Sequence, residues 1–309
     1  MTKWILRLEG GLGNQLFQYA HIKSLQVKYG GEIYLDTHAF NKKQIRQLSV
    51  NHACKEELKH INQLGIFDHI VIKFLQLFHK IHKKRILSNP KSFNQNKYLS
   101  LCKKGLYIQY KDSVFESHIK PMQKINYVSG NYLSHQFFHD FDDYIKQHIY
   151  IKEELSPNSQ EVLKQIKQCN SVCLHVRLGD YLAPEWKDKL YICTPEYYQK
   201  AVEEIKNKVD NPIFFIFSNR PKDFEWIKEN ISLDANVVYV NLGNNDYEDL
   251  KLMYNCKHFI MSNSTYSWWA QYLGRFNDKI VVAPSRFNNF PQWDMSGIYM
   301  KNWLLIDVR

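Results

Sequence analysis

Short apolar runs alternating with helix-spaced segments constrain this chain more than any other feature. Runs of strand length recur at Trp4–Leu8, Glu32–Asp36, Tyr127–Asn131, Ser171–Arg177, Pro212–Ser218, Val237–Val240, His258–Ser262 and Lys279–Ala283. Between them apolar residues return every three or four positions, as at Val162 and Ile166, or at Leu250, Met253 and Tyr254. That is the period of an amphipathic helix. A strand that is apolar on both faces must be covered on both faces, and helices joining parallel strands are the usual cover. The expected fold class is therefore α/β. The second half alternates regularly from Val172 to Ala283 and reads as a doubly wound domain. The chain of 309 residues suits two domains, at roughly 150 residues each. The polar stretch Lys152-Glu153-Glu154, ahead of Ser156-Pro157, sets the expected boundary, with domains at 1–152 and 153–309.

The first half loses its rhythm where charge gathers. The chain has 41 Lys and Arg against 31 Asp and Glu. Ten of the basic residues and none of the acids fall between His69 and Lys111, so the remainder balances at 31 of each. A protein that wraps nucleic acid carries a basic face repeated through its fold. No nucleic-acid partner is expected here, and a basic RNA-binding protein is kept only as a lesser alternative. Within the segment, Phe74, Leu77, Phe78 and Ile81 keep helical spacing, flanked by Lys73, Lys80, Lys83 and Lys84. Two readings fit this pattern. One is a helix lying on an anionic membrane through residues 73–85. The other is a core-packed helix with a solvated basic face.

Cys54, Cys102, Cys169, Cys173, Cys193 and Cys256 lack the spacing of a zinc or redox pair, and read as reduced structural thiols. The run Trp4-Ile5-Leu6 is too short for a signal-peptide core. No stretch reaches the ~18 apolar residues of a membrane-spanning helix. A cytoplasmic location is expected, with peripheral attachment to the inner membrane face if the membrane reading holds.

Five segments place chemistry at strand ends. Gly10-Gly11-Leu12-Gly13-Asn14-Gln15 follows the first strand and precedes a helix. Glycines there let backbone approach a ligand and present amides at a helix N-terminus; a tight turn fits equally well. His175 and Arg177 share one strand face, followed by the turn Gly179-Asp180. An imidazole and a guanidinium at a strand's carboxyl end suit an anionic ligand, because both are costly to bury alone. Ser262-Asn263-Ser264-Thr265-Tyr266-Ser267 opens another helix with more hydroxyls than a cap needs. Trp268 and Trp269 behind it read as core. Phe217-Ser218-Asn219-Arg220 ends a further strand. Asp249 opens a helix, where it favours the helix dipole or accepts from the paired N–H donors of a guanine. None of these five segments contains an Asp-x-Asp pair to hold a divalent ion on a diphosphate.

The opening motif Gly10-Gly11-Leu12-Gly13-Asn14-Gln15-Leu16-Phe17-Gln18-Tyr19-Ala20, with His175-x-Arg177-x-Gly179-Asp180-Tyr181 and Ser262-Asn263-Ser264-Thr265-Tyr266-Ser267-Trp268-Trp269, resembles the bacterial α-1,2-fucosyltransferases of glycosyltransferase family 11. The resemblance implies a GT-B fold, two Rossmann-like domains facing across a cleft. It implies GDP-β-L-fucose as donor, inversion at the anomeric carbon, no metal or other cofactor, and the 2-hydroxyl of a galactose-terminated glycan as acceptor. A surface glycan such as lipopolysaccharide O-antigen is the expected product. By the same resemblance Arg177 neutralises the leaving diphosphate, and His175, Ser218, Ser264, Thr265 and Asp249 bind the donor. Gly11, Gly13, Asn14 and Gln15 form the cleft loop of the first domain. Asp180 is the expected proton acceptor, with Glu9 as second choice. Two positions depart from the family pattern: Leu178 stands where many relatives have a second Arg, and Ser218-Asn219-Arg220 stands where Ser-Asp-Asp is common. A GT-B transferase using another nucleotide sugar is the alternative within the same architecture.

Overall fold

The computed structural model describes residues 1–40, 47–88, 94–109, 120–290 and 293–308. Lys91 and Lys111 of the basic segment lie outside the described residues. The chain forms two compact units, Met1–Ile149 with Ser296–Ile298, and Tyr150–Met295 with Tyr299–Arg309.

The first unit is a parallel sheet of β1 (Lys3–Arg7), β2 (Glu32–Asp36), β3 (Lys59–His60), β4 (Leu106–Ile108) and β5 (Ile125–Ser129), in the order β3-β2-β1-β5-β4. Its helices are α1 (Leu12–Tyr29), α2 (Ile66–Ser88), α3 (Gln95–Cys102) and α4 (Asp142–His148). The central strand β1 has Trp4, Ile5 and Leu6 fully buried, as a strand covered on both faces must. Ile72 and Leu75 of α2 pack with Ile5, Tyr34 and Tyr127 over one face. Arg7 pairs in register with Asp36, so β1 and β2 end level.

The second unit is a parallel sheet of β6 (Asn170–Val176), β7 (Pro212–Ser218), β8 (Asn236–Tyr239), β9 (His258–Ile260), β10 (Val281–Pro284) and β11 (Leu304–Ile306), in the order β11-β10-β9-β6-β7-β8. Helices α5 (Pro157–Gln168), α6 (Lys187–Leu190), α7 (Pro195–Lys206), α8 (Asp223–Asn230), α9 (Asp246–Tyr254) and α10 (Thr265–Leu273) complete it. The chain winds outward from β6 through β7 to β8, then returns to the other side of β6 with β9. That reversal is a switch point, where open α/β sheets hold ligands beyond the carboxyl ends of the strands.

The strands at Glu32–Asp36 and Pro212–Ser218 coincide with the apolar runs, and the other six are offset by one or two residues at an end. β3, β4 and β11 were not expected; each spans two or three residues, too few to show a period. Ser156-Pro157 opens α5, with Ser156 accepting from the Ser159 amide at 3.4 Å. A feature foreign to the sequence pattern is the late return of Ser296–Ile298 to the first unit, where the Ile298 side chain is fully buried. No disulfide joins the six cysteines.

Candidate active site at the carboxyl ends of the strands

In the second unit, His175 and Arg177 stand at the end of β6, beside the switch point. His175 is buried. Its Nδ1 lies 3.0 Å from Ser262 Oγ and 2.6 Å from Ser267 Oγ, which engages two hydroxyls of the neighbouring loop on one ring nitrogen. Burial, reinforced by the Arg177 charge, pushes its pKa down to about 3, so the imidazole is neutral. The Arg177 side chain is only 9% exposed. Its Nη2 donates to Asp180 Oδ1 at 2.6 Å, and the guanidinium lies 5.1 Å from the Tyr181 ring centroid. Its Nε is buried without a hydrogen-bond partner. A buried cationic donor left unpaired is costly, and an anionic ligand removes that cost. Gly179, at φ +55°, lets the turn fold back under Arg220, whose guanidinium would be 3.7 Å from a Cβ there.

The loop after β9 divides its polar groups between scaffold and surface. Ser262 and Ser267 hold His175. Asn263 donates to the carbonyls of Leu190 and Phe287 at 2.8 and 2.9 Å. Ser264 caps α10, accepting from the Tyr266 amide at 3.3 Å. Thr265, the first residue of α10, is partly exposed. Trp268 and Trp269 are fully buried, as core. Ser218, expected to touch the donor, instead donates to the Val176 carbonyl at 2.9 Å and contacts Asp223 Oδ2 at 3.2 Å. Its hydroxyl ties β7 to β6, so Ser218 supports the site rather than facing a ligand. Arg220 is clamped to Asp223, with Nη2 at 2.6 Å.

Asp249 sits in the first turn of α9, partly buried, and accepts from Asn244 Nδ2 at 2.9 Å. Burial raises its pKa to about 7; the Asn244 hydrogen bond opposes this, and Glu248 and Asp246 add to it. The carboxylate charge is held at a disadvantage by burial, and further hydrogen-bond donors from a ligand relieve it.

In the first unit, Gly10 takes φ +86°, and a Cβ there would lie 2.9 Å from Asn14 Nδ2. Glycine is thus required both by conformation and by space. Gly11 is the N-cap of α1, with Gly13 and Asn14 in its first turn. Gln15, expected to face a ligand, is buried. Its Nε2 donates to the carbonyls of Gly10 and Gln47 at 2.9 and 2.7 Å, and its Oε1 accepts from the amides of Ser49 and Val50, both at 3.0 Å. All four bonds an amide can make go to backbone, so Gln15 shapes the loop. Gln18 clasps the backbone of Glu9 in both directions at 3.1 Å. The Glu9 carboxylate is met by Lys83 at 2.8 Å and Arg7 at 3.3 Å. Burial opposes its charge, but these two cations outweigh it and hold its pKa below the usual range.

A cluster absent from the sequence expectations lies beside this loop. Asp36, at the end of β2, is fully buried. It accepts from the Tyr127 hydroxyl, from Gln76 Nε2 at 2.9 Å, and from the amide of His38 at 3.1 Å. Burial opposes its ionisation, and these bonds, with His38 Nδ1 at 2.7 Å, together hold its pKa below normal. An ionised Asp36 makes Nδ1 of His38 the nitrogen that donates to it, and the ring is 61% exposed. That is how a carboxylate prepares an imidazole to accept a proton. The sequence signal was Asp36-x-His38 directly after an apolar strand.

A family model for glycosyl transferase family 11 matches residues 5–307. The chain belongs to glycosyl transferase family 11. This family 11 chain is 26% identical over 298 residues to an alpha-1,2-colitosyltransferase of Escherichia coli, covering 92% of each. It is 29% identical over 315 residues to the O-antigen biosynthesis glycosyltransferase WbnK of Escherichia coli, covering 96% of this chain and 98% of that one. Among solved structures, the fucosyltransferase NodZ from Bradyrhizobium superposes with a TM-score of 0.52 at 12% identity, covering 87% of this chain and 92% of that one; a NodZ structure co-crystallised with GDP gives the same score. At that identity the likeness speaks for fold alone, and the fold is the GT-B fold expected. Family membership makes the protein a glycosyltransferase and favours that reading over an RNA-binding one.

Proposed function

We propose that the protein transfers L-fucose from GDP-β-L-fucose to the 2-hydroxyl of a galactose-terminated glycan, forming an α-1,2 linkage with inversion, in the assembly of a surface glycan such as O-antigen at the cytoplasmic face of the membrane. The observation that carries this reading is Arg177: a nearly buried guanidinium with an unpartnered Nε, at the switch point of a nucleotide-binding type of sheet. The acceptor hydroxyl attacks C1 of fucose opposite the GDP. Charge grows on the β-phosphate as the bond breaks, and Arg177 stabilises that growing charge more than it stabilises bound donor. Thr265, at the start of α10, and the capping Ser264 form the phosphate side of the site, next to the neutral His175. Asp249 accepts from guanine N1–H and N2–H₂. No metal is needed on the diphosphate.

The proton acceptor is assigned to His38 in place of Asp180. Asp180 is engaged by Arg177 at 2.6 Å, and its role becomes holding Arg177 in place. Glu9 is held by two cations in the same way. His38, backed by Asp36, has the better arrangement. The loop around Gly11, Gly13 and Asn14 belongs to the acceptor side.

A second donor is favoured by the colitosyltransferase relative. Colitose lacks the 3-hydroxyl of fucose, so the two donors differ at one oxygen. The test is turnover of purified protein with a panel of nucleotide sugars and small galactosides, with products read by mass and linkage by NMR. Turnover with GDP-fucose to an α-1,2 product is expected. Turnover with GDP-colitose alone, or with a non-guanine donor, refutes the reading.

A further inference from the structure

α2 is apolar on two faces, and only one of them is used. Along 23 residues, about 34 Å at 1.5 Å per residue, its inner side carries Ile72, Leu75 and His79, all buried against the first unit. Three polar ties fix that side: Asp68 to Lys3, Gln76 to Asp36, and Lys83 to Glu9. The orientation of the helix is therefore set by contacts that leave the opposite side to solvent.

That opposite side holds Ile66, Phe67, Ile70, Val71, Phe74, Leu77, Phe78 and Ile81. Phe67 is 82% exposed and Phe74 64% exposed. The positions advance by three and four, so they form one continuous stripe along the axis. Eight of the fifteen exposed large hydrophobic side chains among the described residues lie on this one helix. Scattered surface apolar residues are ordinary, but a contiguous stripe of this length marks an interaction surface.

The charges beside the stripe say what it meets. Lys73, Lys80 and Lys84 are exposed and, at 100° per residue, run along one margin of it, with exposed Arg85 at its far end. Asp68 is the helix's single acid, and it is turned inward to Lys3. The outer surface of α2 thus combines aromatic and aliphatic side chains with cations and no carboxylate. A second copy of this chain fits it poorly: a two-fold pairing of the stripe brings the lysine margins together with no acid to answer them. No helix among the described residues is long and apolar enough to cross a membrane, and α2 has a polar inner side already committed to the fold.

We propose that α2 docks the protein on an anionic lipid surface, lying in the interface plane with Phe67, Ile70, Phe74 and Leu77 among the acyl chains and Lys73, Lys80, Lys84 and Arg85 at the headgroups. The aromatic and aliphatic side chains supply insertion, and the cations supply selection for negative charge. Both are required, because a single weak anchor gives only marginal, reversible binding. Such docking holds the enzyme where a lipid-linked acceptor is made, but the surface argument does not depend on which sugar is transferred.

The test is sedimentation of the full-length protein with vesicles of phosphatidylcholine containing one third phosphatidylglycerol, against vesicles of phosphatidylcholine alone. Binding to the first and at least tenfold weaker binding to the second is expected, with further weakening in high salt. The variant F67S/F74S/L77S should lose binding, and K73E/K80E/K84E should weaken it at least tenfold. Both change only exposed side chains, so circular dichroism and melting temperature should match the native protein, and turnover of a soluble acceptor should be kept. Failure to sediment with anionic vesicles overturns the proposal. So does binding that survives the F67S/F74S/L77S change, or a native dimer or an acidic protein complex that this variant abolishes while vesicle binding is absent. Since sedimentation is read without donor or acceptor, a wrong sugar assignment would leave this outcome unaffected.

Discussion

Replacing Asp249 by Asn removes a charge that the fold holds at a disadvantage. Its pKa rises from the ordinary 3.8 to about 7, mainly through burial. The folded state therefore binds the proton more tightly than the unfolded chain. For a carboxyl shifted upward, stability is lost as pH climbs from 3.8 towards 7 and stays level above it. At ~1.4 kcal/mol per pH unit, the disadvantage above pH 7 reaches at most about 4 kcal/mol. Water reaches this partly buried group and screens it, so about 2 kcal/mol is the expected gain from the amide. That corresponds to roughly 4–8 °C in melting temperature for a unit of this size. The amide oxygen still accepts from Asn244, so the local hydrogen bond is kept. The assay is thermal unfolding of both proteins from pH 5 to 9, repeated with saturating GDP. The variant should be more stable, by a margin that grows up to about pH 7 and then flattens. It should also lose the stabilisation that GDP gives the native protein, because an amide nitrogen faces the guanine donors in place of an oxygen. Native GDP affinity should fall by up to tenfold per pH unit below about 7. A margin independent of pH, or a GDP shift retained by the variant, would refute the assignment of a strained carboxylate waiting for a base.

Arg177→Ala should reduce kcat by about 10²–10³ with the circular dichroism spectrum unchanged, in line with removal of one preorganised donor to developing charge; near-native turnover would rule out its role. Gln15→Leu strands the amides of Ser49 and Val50 in the interior, and at about 1–3 kcal/mol for each buried unsatisfied group it should lower the melting temperature and soluble yield before any effect on catalysis can be read. His38→Ala should cost about 10²–10⁴ in kcat, with KM for donor little changed; near-native kcat would return the base role to another group. Turnover should persist in EDTA, and loss that Mg²⁺ restores would show that a metal shares the work given to Arg177.

What was legible in the sequence follows from how much of each signal is local. Buried parallel strands such as Pro212–Ser218 carry their own apolar pattern, so their positions could be read directly. β3 and β4 are held by partners distant in sequence, β2 and β5, and their two or three residues carry no pattern of their own. Polar site residues divide in a similar way. Arg177 and Asp249 are visible as charges at strand and helix ends. Whether a polar side chain faces a ligand or the scaffold is decided by partners far along the chain. Gln15 meets the backbone of residues 47–50, and Ser218 meets Val176; neither partner is suggested by local sequence. The cluster around Asp36 draws Tyr127, Gln76 and His38 from three separate segments, and only its His38 neighbour is close in sequence. The stripe on α2 was partly legible through Phe74, Leu77, Phe78 and Ile81, but its exposure depends on which side of the helix the sheet takes.

The return of Ser296–Ile298 to the first unit has a consequence for biosynthesis. A domain made entirely of N-terminal sequence can finish folding while the rest of the chain is still being translated. Here the unit that begins at Met1 includes a buried Ile298, far along the chain from Ile149, where the unit's continuous stretch ends. Its sheet can form early, but its surface closes only once residues 296–298 have left the ribosome. Until then the segment around His135–Phe137 lacks its cover. Expressing residues 1–149 alone should give a protein with native-like secondary structure and a persistent tendency to aggregate, and the two halves are not independent products that evolution or an engineer can exchange by cutting once.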